Sequence, residues 1–215
     1  LDLGWTPMDA FFYQTDKQLW IQARTTRIDL DKFHVKKKHR QYLKKEVVGR
    51  YYPDVNPWQD QCDIIFEKYC KHKGYDDHGS ELVDKPYGNK DYFVYWHNDK
   101  IVAYTQLTRF KKSVVAGEFA WDYENPELSL GTVAQNFECT LYRDMRYLYY
   151  YSSYAYENVC EYKSHYKGFQ WWTGREWSED KELFRSLLDK DGKVESLKDL
   201  YHRHKEYYKE ILKNE

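Results

Sequence analysis

The apolar positions of this chain change their spacing several times, and each change predicts an element. Tyr92–Trp96, Ile101–Phe110 and Val114–Trp121 are rich in β-branched and aromatic residues and read as strands. Asn98-Asp99 lies between the first two, where two residues that tolerate a left-handed backbone suit a tight antiparallel hairpin. Ahead of the strands, Cys62, Ile65, Phe66, Tyr69 and Cys70 follow helical spacing. Asn56-Pro57 offers that helix a cap and a first residue, and Gly74 offers it a stop. Beyond the strands, Val133, Phe137 and Leu141 recur every fourth residue, so Gly131-Thr132 marks a passage into a second helix. Tyr147–Tyr151 predicts the next strand.

Both ends read as smaller elements. Ala10–Tyr13 and Leu19–Ala23 predict short strands around a turn at Thr15–Lys17, followed by Arg24–Leu30 and a basic helix from Lys36 to Lys45. Residues 75–90 carry Gly, Asp, His and Pro with little apolar content and read as a loop. After a Trp-rich segment, Tyr166–Trp177, Ser178 is placed to cap a helix bearing Leu183, Phe184, Leu187 and Leu188 and ending near Gly192. A last helix carries Leu197, Leu200, Tyr201, His204, Tyr208, Ile211 and Leu212 on one face. Three parts are expected: residues 1–50 packed on the main domain, the main domain over 51–177, and C-terminal helices over 178–215.

Composition alters this picture in a few places. The formal net charge is −1, so the whole molecule does not announce a polyanionic partner, yet residues 32–50 hold eight Lys or Arg against Glu46 alone. There are 23 Tyr, 8 Trp and 10 Phe, enough for a tyrosine-rich core and for an aromatic-lined pocket. Cys62, Cys70, Cys139 and Cys160 form no Cys-x-x-Cys pair, so reduced thiols and no bound metal are expected. No apolar run reaches membrane-spanning length and the start lacks a secretory pattern, which predicts a cytoplasmic chain with no membrane partner.

Leu128-Ser129-Leu130-Gly131-Thr132, then Tyr147-Leu148-Tyr149, then Tyr162-Lys163 fall in an order and at separations that carry a likeness. They resemble the catalytic half of the arginyl-tRNA–protein transferase family and its bacterial leucyl-transferring relatives. Arg27-Ile28-Asp29-Leu30 and the basic segment after it are similar to the end of that family's N-terminal region. The likeness runs from Gln22 to Lys167 and departs at Tyr150-Tyr151, where the family has Leu-Gly. A glycine there would let a ligand approach the backbone, and Tyr151 would fill that space. The family's upstream cysteine cluster has no counterpart.

The resemblance implies an α+β, GNAT-like (acyl-CoA N-acyltransferase-like) domain, a mixed and mostly antiparallel sheet flanked by helices, with short N-terminal strands and C-terminal helices around it. The order of predicted elements agrees. It also implies a transferase that moves an amino acid from charged tRNA onto the N-terminal amine of a protein or peptide, with aminoacyl-tRNA as co-substrate, no other cofactor and no DNA. Such chemistry needs orientation, proton removal and oxyanion stabilisation rather than a metal or covalent intermediate. Glu118 and Asp122 lie four apart on a predicted strand and are the candidate proton acceptors, with Tyr149 beside them by family position; strand-end carboxylates capping a turn would look the same. Ser129, Leu130, Gly131, Thr132, Tyr151, Tyr162 and Lys163 are the expected substrate-binding positions. Lys36, Lys37, Lys38, Arg40 and Lys167 are those expected to meet tRNA. The alternatives are a CoA-dependent N-acyltransferase, against which the lack of a glycine-rich pyrophosphate loop counts, and a non-catalytic domain of the same fold that binds tRNA or protein.

Overall fold

The structure is a computed structural model that describes residues 6–8, 11–13, 24–44, 46–74 and 89–212. The strand expected at Leu19–Ala23, nearly all of the 75–90 loop, and the side chains of Leu197, Ile211 and Leu212 lie outside the described residues. The chain forms two compact units, residues 1–33 with 151–215, and residues 34–150.

In chain order the first unit opens with β1 (Thr6–Met8) and β2 (Phe11–Tyr13), an antiparallel pair, and then β3 (Thr26–Asp29). The second unit holds a single turn α1 (Lys37–Arg40), β4 (Val48–Pro53), α2 (Gln59–Lys73), β5 (Lys90–His97), β6 (Lys100–Phe110), β7 (Ser113–Trp121) and α3 (Leu130–Asp144). β8 (Tyr149–Tyr151) follows at the boundary. The chain then returns to the first unit with β9 (Phe169–Trp172), β10 (Trp177–Ser178), α4 (Lys181–Asp191) and α5 (Leu197–Leu212).

The sheet of the second unit grows from the predicted hairpin. Asn98 and Asp99 both take positive φ, 49° and 59°, so β5 turns directly into antiparallel β6. β4 pairs antiparallel with β5, β7 pairs antiparallel with β6, and β8 lies next to β7. A helix covers each face. On one, Cys62 and Ile65 of α2 pack with Val94, Tyr104 and Ala120. On the other, Phe137 of α3 meets Phe93 and Tyr95 edge-on, at ring centroid distances of 6.0 and 6.1 Å.

Tyrosine hydroxyls explain how this core tolerates carboxylates. Glu138 of α3 is buried and accepts from Tyr95 at 2.7 Å, Thr105 at 2.6 Å and Tyr150 at 2.6 Å. Asp91 of β5 accepts from Tyr142 at 2.6 Å and Tyr51 at 2.9 Å and pairs with Arg109. In the first unit, β3 and β10 each run antiparallel to β9, and Phe169, Trp171, Phe184, Leu187 and Leu188 form its apolar core. Arg24 and His204 both meet Asp191 there, all three of them buried.

Several local expectations are corrected. The basic helix is one turn followed by a 3-10 turn, Tyr42–Lys44, because adjacent cations repel and Val48 already begins β4. α2 starts at Gln59 rather than Pro57, since the Asn56 side chain accepts the Trp58 N–H at 3.0 Å and closes a turn ahead of it. Gly74 ends the helix as expected, at φ 68°. Asp180, not Ser178, caps α4, accepting the N–H groups of Glu182 and Leu183 at 3.0 and 2.9 Å.

Candidate functional site

Strands β6 and β7 fall out of register beside Gln106. Gln106 faces Glu118, but Leu107 faces Ala116, so Gly117 is an inserted residue. Such a bulge bends the strand and re-aims the side chain beside it. Glycine suits the place, because a Cβ at 117 would stand 3.1 Å from the backbone oxygen of Gln106. Glu118 is therefore presented next to an exposed stretch of backbone while remaining half-buried itself.

The surroundings of Glu118 set its proton affinity. Burial lifts its pKa to about 7; the negative charge of Asp63 on α2 adds to the rise, while the Tyr104 hydroxyl and the Lys90 charge oppose it. Tyr104, one strand over, donates its hydroxyl to the Glu118 carboxylate. Lys90 is held nearby on β5 by Thr108 at 3.1 Å, and Asp63 accepts from Gln59 at 2.7 Å. A carboxylate poised near neutrality can accept a proton from an amine and give it up again. Sequence reasoning proposed Glu118 as a candidate and did not single out its neighbours Gly117, Tyr104, Asp63 and Lys90. The legible signal was a glycine inside an otherwise regular strand pattern.

The other expected positions have different surroundings. Asp122 closes its own turn, accepting the Glu124 N–H at 3.0 Å and the Asn125 amide at 2.8 Å. Tyr149 is half-buried on β8. Ser129 takes a left-handed backbone, φ 52°, and its carbonyl receives the N–H groups of Thr132 and Val133 at 2.9 and 3.1 Å, starting α3. Leu130 is buried, Thr132 half-buried and Gly131 exposed, and a Cβ at 131 would stand 3.6 Å from the Phe119 ring.

Tyr151, Tyr162, Lys163 and Lys167 belong to the first unit. Tyr151 is buried against Trp177 and accepts from Arg27 at 3.2 Å. Lys163 is buried, its ammonium donating to the carbonyls of Ser152, at 2.6 Å, and Tyr154. Burial draws its pKa down to about 8. Tyr162 and Lys167 are exposed. Of the basic turn, Lys37, Lys38 and Arg40 are exposed and Lys36 half-buried, while His39 points inward and lies 3.3 Å from the Asn136 amide. Burial pushes the Cys62 thiol up to about 11, out of the range of a ready nucleophile. Among the described residues, no three His, Cys, Asp or Glu side chains group as a metal site, and no helix is long and apolar enough to cross a membrane.

Comparison with solved structures places the fold. The C-terminal domain of a putative lysylphosphatidylglycerol synthetase from Agrobacterium fabrum superposes with a TM-score of 0.54 at 14% identity, over 62% of this chain and 47% of that one. FemX gives 0.52 at 8% identity, over 62% and 53%. A GCN5-related glucosamine N-acetyltransferase region of a fungal multi-domain β-N-acetylglucosaminidase gives 0.50 at 15%, over 69% and 19%. The fold is that of the GNAT-like acyltransferases. The first of these matches takes in about half of the other structure's length. No family model and no curated protein sequence matches the chain.

Proposed function

We propose that this chain is an acyltransferase that moves an acyl group from an activated ester to an amine, with Glu118 as the proton acceptor. The observation that carries the reading is a carboxylate lifted to about 7 beside a bulged strand in a GNAT-like sheet. An amine arrives as ammonium and must lose a proton to attack. Glu118, ionised above its pKa, takes that proton, and the neutral nitrogen adds to the ester carbonyl. As the tetrahedral intermediate collapses, a second proton passes from the nitrogen to the departing oxygen or sulfur, which leaves as alcohol or thiol, and Glu118 returns its own proton to water. Tyr104 keeps the carboxylate oriented through the cycle.

For the donor, the reading favoured here is an aminoacyl ester of tRNA. The ordered motifs from Leu128 to Lys163 support it, as does the likeness to a domain named for lysylphosphatidylglycerol synthesis. Exposed Lys37, Lys38 and Arg40 suit a polyanion. A CoA thioester is the second reading, supported by the likeness to a glucosamine N-acetyltransferase region.

The test is to offer charged tRNAs in one reaction and assorted acyl-CoAs in another, each with peptides of varied N-termini and small amines, and to read products by mass spectrometry. A mass gain with one donor class, lost in Glu118→Gln, is expected. No product from either donor would leave a binding domain in place of an enzyme. Full activity of the Gln variant would move proton removal elsewhere.

A further inference from the structure

We infer that the rings of β7 and the basic last turn of α2 form a stacking site for unpaired nucleotides, the ligand class presented by the acceptor end of a tRNA. The inference rests on the aminoacyl-ester reading and locates where the donor is held. Phe119, Trp121 and Tyr123 alternate along the end of β7 and just beyond it. Phe119 and Trp121 are stacked, with centroids 5.1 Å apart and planes 24° from parallel. From α2, Tyr69 closes on Trp121 at 4.4 Å, and His72 lies flat on Tyr123 at 3.8 Å and 9°. Phe119, Trp121 and Tyr123 are half-buried and His72 is exposed, while half-buried Tyr69 also packs against the core beneath α2.

Cations are interleaved with the rings. Lys68, Lys71 and Lys73 are exposed on the same helix, and the Lys73 ammonium stands 5.4 Å from the Trp121 ring and 5.7 Å from Tyr69. Lys68 and Tyr123 also line a groove of about 400 Å³ with Lys100 and His97. That size lies within the range of roughly 300–1,000 Å³ of small-ligand clefts. Asp122 and Glu124 line it too, and Asp122 is engaged by its own turn.

Half-buried rings at a surface stack bases of any identity, and lysines among them meet the phosphates between those bases. A cation over a ring holds the face a base would take. An arriving base displaces the Lys73 ammonium, and the phosphate that comes with the base gives that ammonium a new partner. A duplex keeps its base faces stacked internally and cannot use the rings, so the site selects unpaired strands.

The probe is a fluorescent single-stranded RNA hexamer of adenosines and cytidines, titrated by anisotropy against the whole chain. The wild-type protein is expected to bind it more tightly than the same sequence in a duplex. Trp121→Ala should weaken binding by roughly 5- to 150-fold, the range of one lost stacking contact. Trp121→Phe, which keeps a ring, should retain most of it. Replacing Lys68, Lys71 and Lys73 by Ala, on the surface and away from the fold's core, should weaken binding and flatten its salt dependence. Glu118→Gln should bind like wild type, so a failure of the proton-transfer reading leaves this result standing. Hexamer binding that ignores both Trp121 and the three lysines would overturn the inference. So would absence of binding at low salt, or preference for the duplex. An acyl-CoA that binds through Trp121 while the hexamer does not would assign the rings to a coenzyme instead.

Discussion

The Tyr104 hydroxyl donates to the Glu118 carboxylate beside the place where β6 and β7 lose register. The contact joins two properties a proton acceptor needs. The bulge at Gly117 sets Glu118 next to exposed backbone, and Tyr104 fixes which way its carboxylate points. Burial outweighs the hydrogen bond, and the pKa settles at about 7 rather than in the ordinary carboxylate range.

The rate of acyl transfer should therefore rise as pH rises through about 7 and then level, because only ionised Glu118 accepts a proton. Tyr104→Phe removes an interaction that lowers this pKa, so its profile should be displaced to higher pH. Glu118→Gln should lose roughly 10²–10⁴-fold, the usual loss for a removed general base. Rate against pH with saturating donor separates these outcomes. An unmoved midpoint in Tyr104→Phe would deny the coupling.

The same group makes stability depend on pH. The folded chain keeps the Glu118 proton up to about 7, whereas the unfolded chain releases it near the ordinary value of 4.5. Between those values the native state binds more protons, so stability falls as pH rises through the window and is level above it. For a half-buried group the fall should reach at most about 3 kcal/mol. Urea midpoints between pH 4.5 and pH 8 should show this slope in wild type and lose this component of it in Glu118→Gln.

Much of the sheet was legible because its strands are rich in β-branched and aromatic residues and its turn is spelled out by Asn98-Asp99. The helix expected from Gly131-Thr132 begins at Leu130, but a 3-10 turn at Pro126–Leu128 separates it from the strand, and the strand expected over Tyr147–Tyr151 is confined to Tyr149–Tyr151. β4 escaped notice because Val48–Pro53 follows a run of lysines, and its pairing with β5 is made by backbone groups distant in sequence. Tyr104 and Lys90 were invisible as site residues for a similar reason: only strand pairing brings them near Glu118. A lysine in a motif also reads the same whether it faces water or backbone. Lys163 faces backbone.

That placement of Lys163 gives a prediction that separates structure from ligand contact. Lys163→Met leaves the carbonyls of Ser152 and Tyr154 without their buried donor. Each such orphan costs about 1–3 kcal/mol, so the urea midpoint should fall clearly. The salt dependence of RNA binding should stay as in wild type. A flattened salt dependence at unchanged stability would instead make Lys163 a phosphate contact.

Glu138 should behave as a scaffold residue despite its charge. Its three hydroxyl partners, Tyr95, Thr105 and Tyr150, are arranged around a carboxylate in the core. Glu138→Leu orphans Thr105 and Tyr150 and leaves Tyr95 only the Ala134 carbonyl at 3.4 Å, so by the cost of buried unsatisfied groups it should destabilise by at least about 2 kcal/mol. Tyr150→Phe removes one donor and leaves the carboxylate two, so about 1 kcal/mol is expected. Comparable losses in both variants would mean that the cluster does not share its load as drawn.

The bulge itself can be tested apart from the carboxylate it presents. A methyl group at position 117 would stand 3.1 Å from the Gln106 carbonyl, a backbone atom that cannot rotate away. Gly117→Ala must therefore spread β6 and β7 by a few tenths of an ångström, or else draw the bulge back into register. Either response moves Glu118 relative to Tyr104, since Glu118 is the next residue along β7. Catalysis is sensitive to displacements of that size, and 1 Å can cost about a hundredfold. Gly117→Ala should thus lower transfer by about tenfold or more, and its pH profile should shift because the Tyr104 hydrogen bond has changed. Stability should drop by only about 1–3 kcal/mol, the usual range for overpacking. Wild-type rate and profile in a folded Gly117→Ala protein would show that the bulge does not set the site.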